Sequence, residues 1–225
     1  MSGQLKKYVQ FKGVLHCDSG LRIGGSKEGM EIGGSDSPII RHPIKGLPYV
    51  PGSSLKGKIR SLLELKYTGD NRNCGNNVRS DGKPCGCGQC LVCTIFGSHN
   101  TRTTNDISRV IFRDAQLTEQ SLDVLEKARA ESGVFYSEEK TEIMMNRKTG
   151  AAYGGGLRTM ERVPEGTEFA LEISLRVFDG DDEKKHLDFI KEGLSLLQKD
   201  TLGGSGSRGY GKVSIRELKI EDQAV

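Results

Sequence analysis

The sequence predicts an α+β fold: a ferredoxin-like (RRM-like) βαββαβ core carrying long insertions. Three observations predict it. Apolar residues recur with a period of two or of about 3.6 in six stretches, ordered strand, helix, strand, strand, helix, strand. Residues 168–178 alternate without a break, the signature of a half-buried strand. The stretches 18–50, 67–106 and 115–166 far exceed the usual connection of about 4–6 residues, so they read as insertions into a single domain spanning 1–225.

The first strand covers 7–17, with Val9, Phe11 and Leu15 on one face and Gln10, Lys12 and His16 on the other. Leu55, Ile59, Leu62 and Leu63 give residues 54–66 helical spacing, after a turn and cap at Pro51-Gly52-Ser53. Residues 107–114 read as a buried strand. In 168–178, Phe169, Leu171, Ile173, Leu175 and Val177 alternate with Glu172, Ser174 and Arg176. A helix over 182–199 runs through Leu187, Ile190, Leu194 and Leu197, and 212–220 returns to strand through Val213, Ile215, Leu218 and Ile220.

Composition narrows the function. Hydrophobic residues make up 35% and charged residues 28%, which suits a globular protein. No apolar run reaches the roughly 18 residues that span a bilayer, and the N-terminus lacks the apolar region of a secretory signal. The cytoplasm is the expected location, with no membrane partner. The net charge of +3 does not by itself announce nucleic acid, so any RNA surface must come from local clusters of Lys and Arg. Trp is absent, which excludes a broad base-stacking platform. The 30 glycines point to loops and to close backbone approaches.

Five cysteines share one insertion: Cys74, Cys85, Cys87, Cys90 and Cys93. Thiolates this close suit a structural tetrahedral zinc site using four of the five, with His99 a substitute. An iron–sulfur cluster and a disulfide staple are the alternatives. A thiolate-rich site argues against catalytic zinc, which needs an open coordination position.

Residues 202–213, LGGSGSRGYGKV, match two phosphate-loop patterns by letter, but they follow a helix and enter a strand, the reverse of what those motifs require. The segment reads instead as a glycine loop whose N–H groups, with Arg208 and Lys212, approach a phosphate backbone, or as a flexible connection. Lys56, Lys58 and Arg60 open a helix, where cations oppose the dipole unless an anion is near; a solvated face is the bland alternative. Asp36 sits in a polar loop where a carboxylate could hold a divalent cation or orient a ribose hydroxyl, though such an Asp is ordinarily a turn residue.

Together, GLRIGG (20–25), IGGSDSPIIRHPI (32–44), PYVPGSSLKGKIRSLLE (48–64), CGCGQCLVCTIFG (85–97), GGLRTMERVPEGTEF (155–169) and LGGSGSRGYGKV (202–213) resemble the RAMP superfamily. Within it they resemble the repeated backbone subunit, Csm type, of type III-A CRISPR effector complexes. The resemblance implies copies stacked in a filament along a guide RNA (crRNA), beside other subunits of the complex. It implies a β-hairpin thumb, here within 142–163, that displaces nucleotides at regular intervals. The target RNA is then cut there by a divalent-metal-dependent endoribonuclease, with a cation such as Mg. The cleavage aspartate before a Ser-Pro pair matches Asp36. RNA contacts are expected from Arg22, Lys56, Lys58, Arg60, Arg147, Arg158, Arg208 and Lys212. Relatives often carry His where this chain has Arg22. Met144, Met145 and Met160 in the thumb are candidate apolar wedges.

Overall fold

The computed structural model describes residues 3–25, 38–75, 82–98, 100, 107–133 and 135–225. In chain order the elements are β1 (Leu5–Cys17), α1 (Gly52–Tyr67), α2 (Leu91–Phe96), β2 (Val110–Phe112), α3 (Glu119–Ser132), β3 (Glu138–Met145), β4 (Ala152–Arg162), β5 (Glu168–Phe178), α4 (Glu183–Lys199) and β6 (Val213–Ala224), with a 3-10 turn at Gly206–Arg208 before β6.

Four strands form one sheet in the order β2-β5-β1-β6, antiparallel throughout. That order, with α1 after the first strand and α4 after the third, is the ferredoxin-like arrangement expected from the sequence. The alternating residues Val9, Phe11 and Leu15 of β1 and Phe169, Leu171, Ile173 and Leu175 of β5 are buried in one cluster with Leu55, Ile59 and Leu63 of α1 and Ile190, Leu194 and Leu197 of α4. The opposite face of the two central strands carries Gln10, Lys12, Glu172 and Arg176, so the alternation separates a dry face from a wet one.

Several details differ from the periodicity. The buried stripe of α4 runs through His186, Phe189 and Ile190, while Leu187 is only half-buried. Strand β2 is three residues long; just before it the Arg109 N–H turns to Ile95 O, and the Arg109 side chain pairs with Asp181, buried, with the guanidinium 4.8 Å from the Phe178 ring centre. In β6 only Val213 is buried, and Leu218 and Ile220 lie on an exposed edge strand. Helix α3 has no apolar stripe to betray it: only Ser121 and Leu125 are buried. Its ends hold it, since the Thr118 side chain accepts from the Ser121 N–H and Gly133 closes it in the left-handed region.

Helices α1 and α4 touch at Gly193. A Cβ there would stand 2.5 Å from Ile59 Cγ2 and 3.0 Å from Leu63 Cδ1. Gly57, on α1, has nothing within 4 Å of its Cβ position and is exposed. The two glycines therefore respond oppositely to substitution. Gly193→Val lowers stability by about 1–3 kcal/mol through overpacking, whereas Gly57→Ala raises it by roughly 0.5–1 kcal/mol; urea denaturation of the two variants checks both signs.

Candidate nucleic-acid interface and cysteine centre

The glycine-rich segment between α4 and β6 folds back on itself and on residues 20–22. Leu202 N–H donates to Gly211 O at 2.8 Å, Gly211 N–H to Gly20 O at 3.0 Å, and Gly204 N–H to Arg22 O at 2.8 Å. A Cβ on Gly211 would stand 1.9 Å from Leu202 O, at a φ of +70°, so only glycine permits this turn. The glycines thus bring backbone to backbone, and the N–H groups of Gly204 and Gly211 are used within the protein. These two N–H groups are therefore not available to a phosphate.

Tyr210 is fully buried. Its hydroxyl donates to Glu142 Oε1 at 2.8 Å, and its ring lies beneath the Lys140 ammonium (4.7 Å) and the Arg162 guanidinium (5.0 Å). Burial, and then the Glu142 hydrogen bond, push its phenol above the usual range, so it stays a donor. Arg208 projects from the same loop, with Nε 3.3 Å from Glu142 Oε2 and Nη2 donating to Ser205 Oγ at 2.6 Å.

Strands β3 and β4 form a two-stranded hairpin, which gives the expected thumb its observed bounds. Glu142 pairs across with Arg158 and Ile143 with Leu157; the register then shifts before Met145 meets Ala152. Ile143, Met144, Met145, Tyr153 and Leu157 are all exposed, but Met160 is buried and belongs to the interior. A groove of about 1040 Å³ runs along the hairpin, lined by Ile143, Met144, Arg147, Tyr153, Arg158 and Arg208 among others. Arg147 and Arg158 are exposed and have no ion-pair partner among the described residues. Cations beside exposed apolar and aromatic side chains suit a strand that offers both phosphates and base faces.

Residues 26–37, which include Asp36, lie outside the described residues. The segments on either side join each other: Gly25 N–H donates to Pro38 O at 3.1 Å and Ile40 N–H to Ile23 O at 2.8 Å. Glu161 of β4 then ties the second of them to the hairpin. Its Oε2 accepts from Ile39 N–H at 2.8 Å and Arg41 Nη1 at 2.9 Å, its Oε1 accepts from Ser137 Oγ at 2.6 Å, and Arg41 Nη2 also bonds to Oε1. Burial would raise this carboxyl, but the bonds from Arg41, Ser137 and Ile39 outweigh it and hold Glu161 below the usual range. Nearby, the Nε of Arg22 is buried and has no hydrogen-bond partner.

The cations of α1 are more heavily engaged than their sequence suggests. Lys58 Nζ lies 3.1 Å from Asp200 Oδ1. Arg60 Nε donates to Glu64 Oε1 at 2.8 Å, and its Nη2 donates to Cys85 O at 2.8 Å. Lys56 is the least neutralised: burial, then Arg60 and Arg176, lower its ammonium below the usual range. Lys212 is exposed at the mouth of the glycine loop.

Four cysteines converge. The Sγ atoms of Cys85, Cys87, Cys90 and Cys93 lie within 4.8 Å of one another, and Cys74, also buried, stands outside the group. Cys85 and Cys90 are 3.7 Å apart and Cys87 and Cys93 3.9 Å, so no disulfide joins them. The hydrogen bond from Cys93 lowers the Cys90 thiol and raises that of Cys93, as crowded thiols sharing protons should. This cluster could hold a metal ion. His99 lies outside the described residues.

A family model described as the RAMP superfamily matches residues 14–214. The chain belongs to the RAMP superfamily. Among curated proteins, it is 42% identical to "CRISPR system Cms endoribonuclease Csm3" of Methanothermobacter thermautotrophicus, covering 98% of this chain and 88% of the relative. It is 41% identical to the protein of that name in Methanocaldococcus jannaschii, covering 96% and 82%. Among solved structures, Csm3 in a Csm3–Csm4 subcomplex of the type III-A CRISPR-Cas interference complex superposes with a TM-score of 0.61 at 30% identity, covering 98% of this chain and 82% of that one. Methanopyrus kandleri Csm3 gives 0.60 at 27% identity, covering 97% and 78%.

In this RAMP chain the structure brings Arg147, Arg158 and Arg208 to one groove and turns Arg60 toward the cysteines. Sequence reasoning missed Glu142, Glu161 and Glu64, the carboxylates that hold these segments together. Only their mixture with exposed-looking neighbours was visible, and a lone Glu in a polar stretch carries no periodic signal.

Glu161 also sets a pH dependence. A carboxyl held below its ordinary value of 4.5 contributes stability that is complete above that value and is lost as pH falls through the lowered one. Glu161→Gln is expected to cost about 1.5–3 kcal/mol at pH 7, and the gap from wild type should shrink as pH drops below 4.5 in denaturation series.

Proposed function

We propose that this RAMP chain is a guide-RNA-binding backbone subunit of a type III-A CRISPR interference complex, one that also cleaves the paired target RNA at regular intervals. One observation carries the reading. Exposed arginines and apolar side chains meet in a single groove beside the hairpin, in a chain that matches relatives named Csm3 endoribonuclease over nearly its whole length. Residues 1–225 act as one RAMP domain with insertions. Its partners are guide and target RNA, further copies of itself in a filament, and other subunits of the complex. It works in the cytoplasm; no helix among the described residues is long and apolar enough to cross a membrane.

Arg22, Arg147, Arg158, Arg208, Lys212 and Lys56 contact phosphates. Lys58, Arg60 and Arg208 contribute less, because Asp200, Glu64 and Glu142 already neutralise them. Ile143, Met144 and Leu157 wedge against bases and splay a nucleotide, which aligns its ribose 2′-OH with the adjacent phosphate. Such orientation lowers a barrier by several kcal/mol. Asp36 orients that hydroxyl or binds a divalent cation such as Mg; the cation, when bound, neutralises charge at the scissile phosphate. Such a cation ordinarily keeps several waters and takes one or two carboxylates plus phosphate oxygens, a role that suits Asp36 beside RNA.

Cys85, Cys87, Cys90 and Cys93 hold zinc. Four thiolates about 2.3 Å from one tetrahedral ion stand about 3.8 Å apart, which the 3.7 and 3.9 Å pairs match. An iron–sulfur cluster, with its inorganic core between the thiolates, would call for a wider set of sulfurs than four within 4.8 Å of one another, which supports the zinc reading. With all four positions filled by protein, the zinc serves folding and not catalysis.

Complexes assembled with Asp36→Ala should hold guide and target as wild type does but cut at least about 100-fold more slowly, the scale of losing a positioned acid–base or metal group. Gel analysis of labelled target RNA measures it. Cutting at full rate would leave the chain a structural filament subunit only.

A further inference from the structure

We infer that the Arg60–Glu64 pair on α1 is the positioning device of the cysteine centre: it grips the backbone of Cys85 on both sides and thereby aims the first thiolate. This rests on the metal reading above and concerns residues outside the thiolate set.

The grip is complete. Glu64 Oε1 accepts from the Cys85 N–H at 2.9 Å, and Arg60 Nη2 donates to the Cys85 carbonyl at 2.8 Å. The two side chains are joined to each other, Arg60 Nε to Glu64 Oε1 at 2.8 Å. Cys93 Sγ lies 3.3 Å from the same Cys85 carbonyl, so the gripped backbone sits inside the thiol cluster.

Cys90 and Cys93 have different support. Cys90 is the N-cap of α2 and Cys93 lies within it, where Thr94 N–H bonds to Cys90 O at 2.9 Å and Gly97 N–H to Cys93 O at 2.9 Å. Cys85 sits in irregular chain, yet its side chain is fully buried. A buried thiolate on irregular backbone needs an external brace, and the α1 pair provides it.

Glu64 is otherwise hard to explain. It is 5% exposed, on a helix whose other buried side chains, Leu55, Ile59, Leu62 and Leu63, are all apolar. A buried ion pair is a poor route to stability, because desolvation offsets its attraction. Holding a metal ligand's peptide is a use that an apolar residue could not replace. Residues that orient ligands in this way typically govern metal affinity by about 10- to 100-fold.

The test uses the full chain loaded with zinc, then with cobalt for its thiolate absorption. Wild type should bind one ion. Arg60→Ala and Glu64→Ala should release zinc to a competing chelator about 10- to 100-fold more readily and show weakened cobalt–thiolate bands. Glu64→Gln keeps an acceptor for the Cys85 N–H and should fall between. With the metal stripped, the variants should lose only what the unpaired buried charge costs; with zinc, they should lose more, because wild type alone gains fully. If Glu64→Ala does not fold, Arg60→Ala decides. Zinc retention equal to wild type, or an equal loss of stability with and without metal, would overturn the inference while leaving the zinc site standing. A wild-type chain that binds no metal would instead overturn the zinc reading itself.

Discussion

The burial of Tyr210 is the constraint on which the functional face depends. A two-stranded hairpin is marginal by itself, and the β3–β4 hairpin presents its apolar side chains to solvent. Tyr210 fixes it to the core. Its ring fills the space beneath Lys140 and Arg162, its hydroxyl reaches Glu142, and its own backbone is held by a glycine turn closed against residues 20 and 202. The Tyr210 side chain joins the hairpin to the entry to β6, and the Gly211 N–H beside it reaches Gly20 O in the first insertion. Glu161 repeats the connection from the other side through Arg41 and Ile39. The arginines of the groove are displayed on a surface that the fold holds in place.

The sheet and the cysteine segment solve the same problem with different means. Between β1, β5, α1 and α4 there is enough apolar surface for a dry core. Residues 67–106 are polar and glycine-rich, and cannot build one. Their short helix borrows the main core instead, burying Leu91, Val92, Ile95 and Phe96 in it, while four thiols and the grip of α1 on Cys85 hold the rest. Arg60 thereby changes meaning. In the sequence it is the third of three cations at a helix start; in the fold it faces inward.

The core was legible in the sequence because burial there is periodic, and Phe169 to Val177 announce β5 without help. The thiol cluster was legible because its members are close along the chain. Helix α3 was not, since it rests on caps and not on a stripe. The exposure of Leu218 and Ile220 was not, because alternation reports a strand but not whether anything covers it. Tyr210 was not, since it stands between glycines in a polar segment; its burial depends on Lys140, Glu142 and Arg162, some 50 to 70 positions away, and no local pattern encodes such a contact.

The claim that a ribose-phosphate strand lies in the hairpin groove is tested most directly by the salt dependence of single-stranded RNA binding. Each phosphate contact contributes a slope of about 0.7 in log K against log salt for a single strand, so Arg147→Gln with Arg158→Gln should lower the slope by about 1.4. The same change at Lys184 and Lys185, beside a separate groove of about 560 Å³ that Asp182, Asp188 and Glu192 also line, should leave it unaltered. An unchanged slope in the hairpin variant, or an equal fall in both, would contradict the account.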